Sequence, residues 1–259
     1  MTRTILSIFL LSTLFGFYSP PENSKKPPTV ETPERILKNA IQAIGGRRVL
    51  ERIESFQLHG IMRLSDGRPV VEVELATSKG GKVLGVLSFV TLGQSRFGSD
   101  GETSWEQNFD SKKTITWSII DQDTLSQKVQ QINWLEWFTT LPNSISTMKV
   151  EGKVTFDDEE CWQISINNKD KRKQLVFFSC KTHRPRGRRT VESTPNGDTT
   201  VEVYFRDWKR VEDLLLFHSI NYNRDGNEVS LKLDRIAIDS APDYLFELPE
   251  QIKTLKDLP

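Results

Sequence analysis

Few side chains in this sequence are spaced to do chemistry. The two cysteines, Cys161 and Cys180, flank CWQISIN–NKDKRK–QLVFFSC, a pattern that reads as a β-hairpin. Pairing Cys161 with Cys180 also pairs Ile164 with Phe177 and Ile166 with Leu175. It gathers Trp162 and these four on one face, so the register that joins the sulfurs also builds an apolar face. A disulfide there closes roughly 20 residues and contributes about 3 kcal/mol; the alternative is two free, half-buried thiols. His59, His183 and His218 are far apart and lack ligand spacing, so each reads as a satisfied or exposed histidine. The acidic turn Asp157, Asp158, Glu159, Glu160 lacks the spacing of an EF-hand loop. Lys181–Arg189 (KTHRPRGRR) is strongly basic. Either it meets anionic headgroups or an acidic partner, or it is a solvated turn and edge strand guarded by its charge. No G-x-S-x-G, P-loop, H-E-x-x-H or G-x-G-x-x-G motif occurs. No catalytic residue, metal site or cofactor is therefore expected, and the chain reads as a binder rather than an enzyme.

Lys plus Arg and Asp plus Glu each number 35 in the 259 residues. That neutrality argues against a nucleic-acid partner, which needs a basic excess. The chain opens with Arg3, an apolar stretch TILSIFLLSTLFGFY and a Pro-rich polar spacer, the layout of an export signal. Residues 1–19 read as a signal peptide or an uncleaved anchor, 20–32 as a linker, and 33–259 as one domain in the periplasm or otherwise exported. The apolar stretch is shorter than the roughly 20 residues that span a bilayer comfortably. No Cys lies near residue 20, so no lipid-modified N-terminus is expected.

Residues 32–53 read as helical, with Thr32 as N-cap, Pro33 at the first position and Gly45–Gly46 as the break. Strand patterns follow. Val71, Val73 and Leu75 alternate with Glu72, Glu74 and Ala76, the signature of a half-buried strand. Further strand patterns run from Val83 to Ile120 and from Lys149 to Ile238, with turn chemistry at Ser65-Asp66-Gly67, Asp100-Gly101 and Asp225-Gly226. Between them, residues 123–141 carry Leu125, Val129, Ile132, Leu135 and Phe138 at helical spacing, widened by Trp134 and Trp137 and ended by Pro142. The expected architecture is α+β and mainly β: one curled antiparallel sheet of about eleven strands, covered by the N-terminal helix and the inserted Trp-rich helix.

Four stretches carry a family resemblance. Ala40–Gly60 (AIQAIGGRRVLERIESFQLHG) is similar to the opening of periplasmic LolA-like proteins, and Phe97–Asn108 (FGSDGETSWEQN) resembles their G-x-D-G…W hairpin. EGKVTFDDEECWQISI with KQLVFFSCKTHRPRGRR resembles a later hairpin, although Cys180 and Thr182 depart from its pattern. DYLFELP (Asp243–Pro249) is similar to the common closing. The resemblance implies an unclosed half-barrel that holds a lipid or lipoprotein acyl chain without catalysis. It also implies an inner- or outer-membrane protein as partner. A monomer is expected.

Two sets of residues are then candidates to line the concavity: Val71, Val73, Leu75, Val83, Leu87, Phe89 and Phe97 on strands, and Trp134, Trp137 and Phe138 as a lid. The competing reading is ordinary core packing at both places, with the domain acting as an envelope interaction module that carries no cargo.

Overall fold

In the computed structural model, the structure describes residues 31–109, 112–132, 145–168, 173–194 and 197–257. Helix α1 (Pro33–Ala43) starts where Thr32 accepts a hydrogen bond from the Arg35 N–H at 3.3 Å, with Pro33 in the first turn. Gly45 and Gly46, at φ 135° and 91°, end it, and α2 (Arg47–Arg52) follows. Strands β1 (Ser55–Leu64), β2 (Pro69–Ser78), β3 (Lys82–Phe89), β4 (Gly93–Asp100), β5 (Ser104–Phe109) and β6 (Ile115–Ile119) then run as a meander. Helix α3 (Gln122–Ile132) comes next.

The second meander is β7 (Ile145–Phe156), β8 (Glu159–Asn168), β9 (Lys173–Ser179), β10 (Pro185–Thr194), β11 (Gly197–Val211), β12 (Leu214–Arg224) and β13 (Asn227–Ile238). All strands join one antiparallel sheet of 13, ordered β6-β5-β4-β3-β2-β1-β13-β12-β11-β10-β9-β8-β7. The two meanders meet in the middle through β1 and β13, and β6 and β7 form the edges of an unclosed sheet. The expected class is therefore observed, with 13 strands instead of about eleven. Tight turns close the longer hairpins. Asp157 and Asp158 sit at φ 51° and 58°, and Asp225 and Gly226 at 48° and 85°, the left-handed pair of a type I′ turn whose twist matches its strands.

A sheet this wide must curl to bury one side. One continuous cluster shows that it does, for it joins Leu58, Val73 and Phe97 of the first meander to Ile164, Val176, Phe205 and Ile220 of the second. Ile36, Ala40 and Ile44 of α1 and Leu125 and Val129 of α3 belong to the same cluster, so both helices lie on the inner side. The outer side of the first meander is covered by the C-terminal segment. A 3-10 turn (Asp243–Phe246) rests on β3 and β4, and α4 (Glu250–Lys256) rests on β6, burying Phe246 and Ile252. Among the described residues, no helix is long and apolar enough to cross a membrane.

Candidate ligand-binding face

Strand alternation and register bring the predicted strand residues to the inner face. Val71, Val73 and Leu75 are buried, while Glu72 and Glu74 between them point outward and are exposed. Val71 lies opposite Phe89, Val73 opposite Leu87, and Leu75 opposite Gly85, which in turn faces Phe97. Val83 is buried one pair further along, opposite Thr77. The full strand set therefore shares one surface. Trp134, Trp137 and Phe138 lie outside the described residues.

That surface is not equally sealed along its length. Phe56, Leu58 and Leu75 are buried in the cluster that also holds Ile36, Ala40 and Ile44 of α1, and Ile44, just past the end of the helix, accepts a hydrogen bond from the Leu215 N–H at 3.0 Å. Towards the end marked by the Ser65-Asp66-Gly67 turn, Met62, Leu87, Phe89 and Tyr222 are only half-buried, though all pack against the same cluster. The concave face thus has a closed floor and a partly open mouth. On the β5 side, α3 is held by a Lys128–Glu106 ion pair at 2.9 Å, with the ammonium 5.9 Å above the Phe97 ring.

A single curled antiparallel sheet with helices on its inner side is shared with solved structures of low sequence similarity. A LolA superfamily protein from Nitrosomonas europaea matches over 84% of this chain and 98% of its own, at 12% identity and a TM-score of 0.57. A DUF1329 family protein from Desulfovibrio piger matches over 83% and 96%, at 9% identity and 0.56. A Vibrio parahaemolyticus domain assigned to outer-membrane lipoprotein sorting matches over 86% and 97%, at 14% identity and 0.50. The chain has the LolA fold. No family model matches the sequence, and no curated protein matches it.

Within this LolA fold the basic run 181–189 does not act as a unit. Alternation in β10 divides it. Arg189 points outward to Glu202 at 2.6 Å, and Arg186 pairs with Asp157 at 2.5 Å and Glu159 at 3.2 Å. Arg184 stacks 5.3 Å from the Trp208 ring, while Lys181 and His183 are exposed. Arg188 faces inward. It lies opposite Val176 on β9 and Val203 on β11, both almost wholly buried, and its Nε is shielded from solvent. The cross-strand row continues from Val203 to Tyr222, Val229 and Leu64, the last residue of β1 before the turn at the mouth. Burial pushes the Tyr222 hydroxyl up to about 12, with the Arg188 charge acting against it. Gln174, 7% exposed, is inward-facing one pair further along, opposite Thr190. Read along the chain, KTHRPRGRR is one patch of charge; only the period of two and the register of β10 reveal that Arg188 and Arg189 face opposite sides of the sheet.

The expected disulfide is not present: Cys161 and Cys180 are both free. In the observed register Cys161 opposes Ser179, Ile164 opposes Val176 and Ile166 opposes Gln174, one residue away from the expected pairing. Alternation within β8 sets Cys161 opposite to Trp162, Ile164 and Ile166 in either register; the single step exchanges the face of β9, so that Val176 and Phe178 join those three inside while Phe177 lies outside with Cys161 and Phe156. The alternative face is not wasted. Phe156 folds over the outer side and stacks on Phe177 with ring centroids 3.9 Å apart, and on Tyr204 at 5.1 Å. Two apolar surfaces compete for the hairpin, and the deeper one sets the register.

The acidic turn serves structure. Asp157 bridges Arg186 and Arg206, each at 2.5 Å, pinning the β7–β8 tip over β10 and β11. Beside it lies an outer cleft of about 320 Å³, lined by Thr155, Asp157, Tyr204, Arg206, Asn221 and Glu228 among others. Among the described residues no cluster of His, Cys, Asp and Glu is placed to hold a metal. His59 is outward-facing on β1, with Nδ1 2.5 Å from Asp234 on β13 and Nε2 2.7 Å from Glu72 on β2. Hydrogen bonds to Asp234 and then Glu72 raise its pKa, so the charged ring stitches three strands where the two meanders join. His218 Nδ1 lies 3.2 Å from the Leu216 carbonyl.

Proposed function

We propose that the chain is an exported, non-enzymatic carrier that holds the acyl chain of a lipid or lipoprotein in the concave side of its sheet. The observation that carries this reading is the continuous apolar inner face, buried at Leu58 and Leu75 and only half-buried at Met62, Leu87, Phe89 and Tyr222. Its fold relatives include a LolA superfamily protein and a domain assigned to outer-membrane lipoprotein sorting, which supports the same reading. Cargo binds by burial. Each methylene moved out of water gains about 0.8 kcal/mol, so a fatty chain needs little polar recognition.

Entry requires the inner helices to yield. Burying Leu125 and Val129 holds α3 by about 3–6 kcal/mol. A long acyl chain gains more than that on burial, so exchange of helix for cargo is downhill when the chain is long and reversible when it is short. The apolar leader of the sequence supports export, and its neutrality fits a lipid or protein partner better than nucleic acid.

The competing module without cargo draws support from the β8–β9 wing, where Ile164, Ile166, Val176 and Phe178 are each fully buried by the protein itself. Lipid extraction and mass spectrometry of the protein purified from a periplasm separates the two. The carrier reading expects co-purified lipid and saturable uptake of a fluorescent fatty acid. Absence of both supports the module and refutes the carrier.

A further inference from the structure

We propose that two copies of this chain join edge to edge through β6, strand against antiparallel strand about a twofold axis at Trp117. Such a pairing needs no cargo, and it replaces the expected monomer with a weak, concentration-dependent homodimer.

The two edges of the sheet are not alike. β7 carries Lys149, Glu151 and Lys153, and its pairing with β8 shifts register between Ile145 and Thr147 and again between Val150 and Gly152. Charge and irregularity keep an edge from pairing with another chain. β6 (ITWSI) has neither: none of its residues is charged, and its register with β5 runs unbroken from Ile115 to Ile119. All but Trp117 are exposed, Ile115 at 53% and Ile119 at 48%.

Hydrogen bonding fixes which backbone groups face the open side. The Ile120 N–H donates to the Ser104 carbonyl at 2.9 Å. In the register of β5 and β6, alternation then turns the groups of Thr116 and Ser118 toward β5 and those of Ile115, Trp117 and Ile119 toward the open edge. The strand is nearly a palindrome. Pairing it with itself about Trp117 sets Trp117 against its own copy, Ile115 against Ile119 of the second copy, and Thr116 against Ser118. The residues with open groups thus meet one another, and each such pair exchanges both N–H···O bonds. Ile115, Trp117 and Ile119 share the outer face, where the Trp117 and Trp105 ring centroids are 5.6 Å apart, and the twofold joins the two apolar rows.

Charge supports the same register. Lys113 lies four residues before Trp117 and Asp121 four after it, so the twofold brings the Lys113 end of each strand to the Asp121 end of the other. Both are exposed. The Asp121 carboxylate is held at the start of α3, where it accepts from the Thr124 N–H at 2.7 Å and the Thr124 hydroxyl at 2.8 Å. A register moved by two residues loses this match and shortens the overlap. So short an edge buries less than the roughly 1,600 Å² of a standard interface, and a dissociation constant on the order of 10–100 µM is expected.

The test follows the full chain, purified from a periplasm, by sedimentation velocity from about 1 to about 300 µM. Amide hydrogen exchange of β6 is read at both ends of that range. Wild type is expected to pass from monomer to dimer, with β6 exchanging at least about fivefold more slowly at high concentration. I115K places a charge inside the pairing and is expected to stay monomeric. K113E turns attraction into repulsion and is expected to weaken the dimer by about threefold to tenfold, a gap that added salt closes. V191K, at an apolar residue 61% exposed on β10, is the control and is expected to dimerise as wild type. A wild type that stays monomeric throughout overturns the inference. Growth beyond a dimer, which means β6 of one copy on β7 of the next, overturns it too. So does association that I115K and V191K reduce equally, or that leaves β6 exchange unchanged. Should I115K not fold, the mass and exchange of wild type and K113E decide by themselves.

Discussion

Cys161 pairs with Ser179, the last residue of β9, and not with Cys180, which follows the strand, so the two sulfurs are not brought together. Burial pushes the Cys161 thiol up to about 12, and burial also raises Cys180, which is only half-buried. Both are therefore poor nucleophiles at neutral pH. Intact-mass analysis after iodoacetamide treatment should show two free thiols. Cys180 should be labelled first and Cys161 only after denaturation. A native species lighter by two hydrogens, or Cys161 labelled first, would contradict the observed register.

His59 makes stability depend on pH. Its folded-state pKa lies above the unfolded value, so its contribution is fully present below about pH 6.5 and is lost as pH rises through the folded pKa. Glu72 and Asp234 are half exposed, at 50% and 56%, which limits the effect to about 1 kcal/mol. Urea melts of wild type and H59Q should differ by that amount near pH 6 and converge near pH 9. A gap that widens with pH would show that the ring does not work as a charged stitch.

Phe156 is the clasp of the outer side. It is 4% exposed and stacks on Phe177 and Tyr204 directly above Gly187. F156A should cost about 3 kcal/mol, the range for removing a buried aromatic ring. G187A should be comparably harmful, because a Cβ there would sit 2.0 Å from the Val203 carbonyl oxygen and 2.8 Å from the Phe156 ring. Thermal denaturation of the two variants measures both. Wild-type stability in G187A would mean that Phe156 does not lie over β10.

Leu87 and Val86 give a test of which side of β3 receives cargo. Leu87 is inward at the mouth and half-buried, opposite Val73; Val86 is outward, opposite Glu74. An arginine at either place can extend its charge to water, so both L87R and V86R should fold. L87R should weaken fatty-acid binding by about tenfold or more, the cost of setting a charge against a chain that needs two or more methylenes buried there. V86R should bind as wild type. Fluorescent fatty-acid titration reads the difference, and equal behaviour of the two would place the ligand elsewhere.

The sequence by itself carried everything that depends on local rules. Alternation of Val71, Val73 and Leu75 with Glu72 and Glu74 marked a half-buried strand. Thr32 and Pro33 opened the first helix and Gly45–Gly46 closed it, and Asp225–Gly226 closed a hairpin. These signals act over two to four residues, and the chain holds them without help from distant parts. The inner position of Val83, Leu87, Phe89 and Phe97 followed from the same alternation, since hairpin pairing transmits it from strand to strand.

What only the tertiary structure decided is which of two mutually exclusive faces each hairpin shows, because a shift of one residue exchanges them all. The Cys161–Cys180 hairpin has apolar residues on both faces, so its sequence supports two registers. Ile164, Ile166, Val176 and Phe178 reach the common core in one of them, and that larger burial prevails over the sulfur pairing. The same step sends Arg188 inward and Arg189 outward. The meeting of β1 with β13 joins segments far apart in the sequence, and His59 and Asp234 across it are separated by 175 residues. No local pattern encodes such a contact. It appears when the two meanders curl around one core and the first strand, β1, meets the last, β13, in the middle of the sheet.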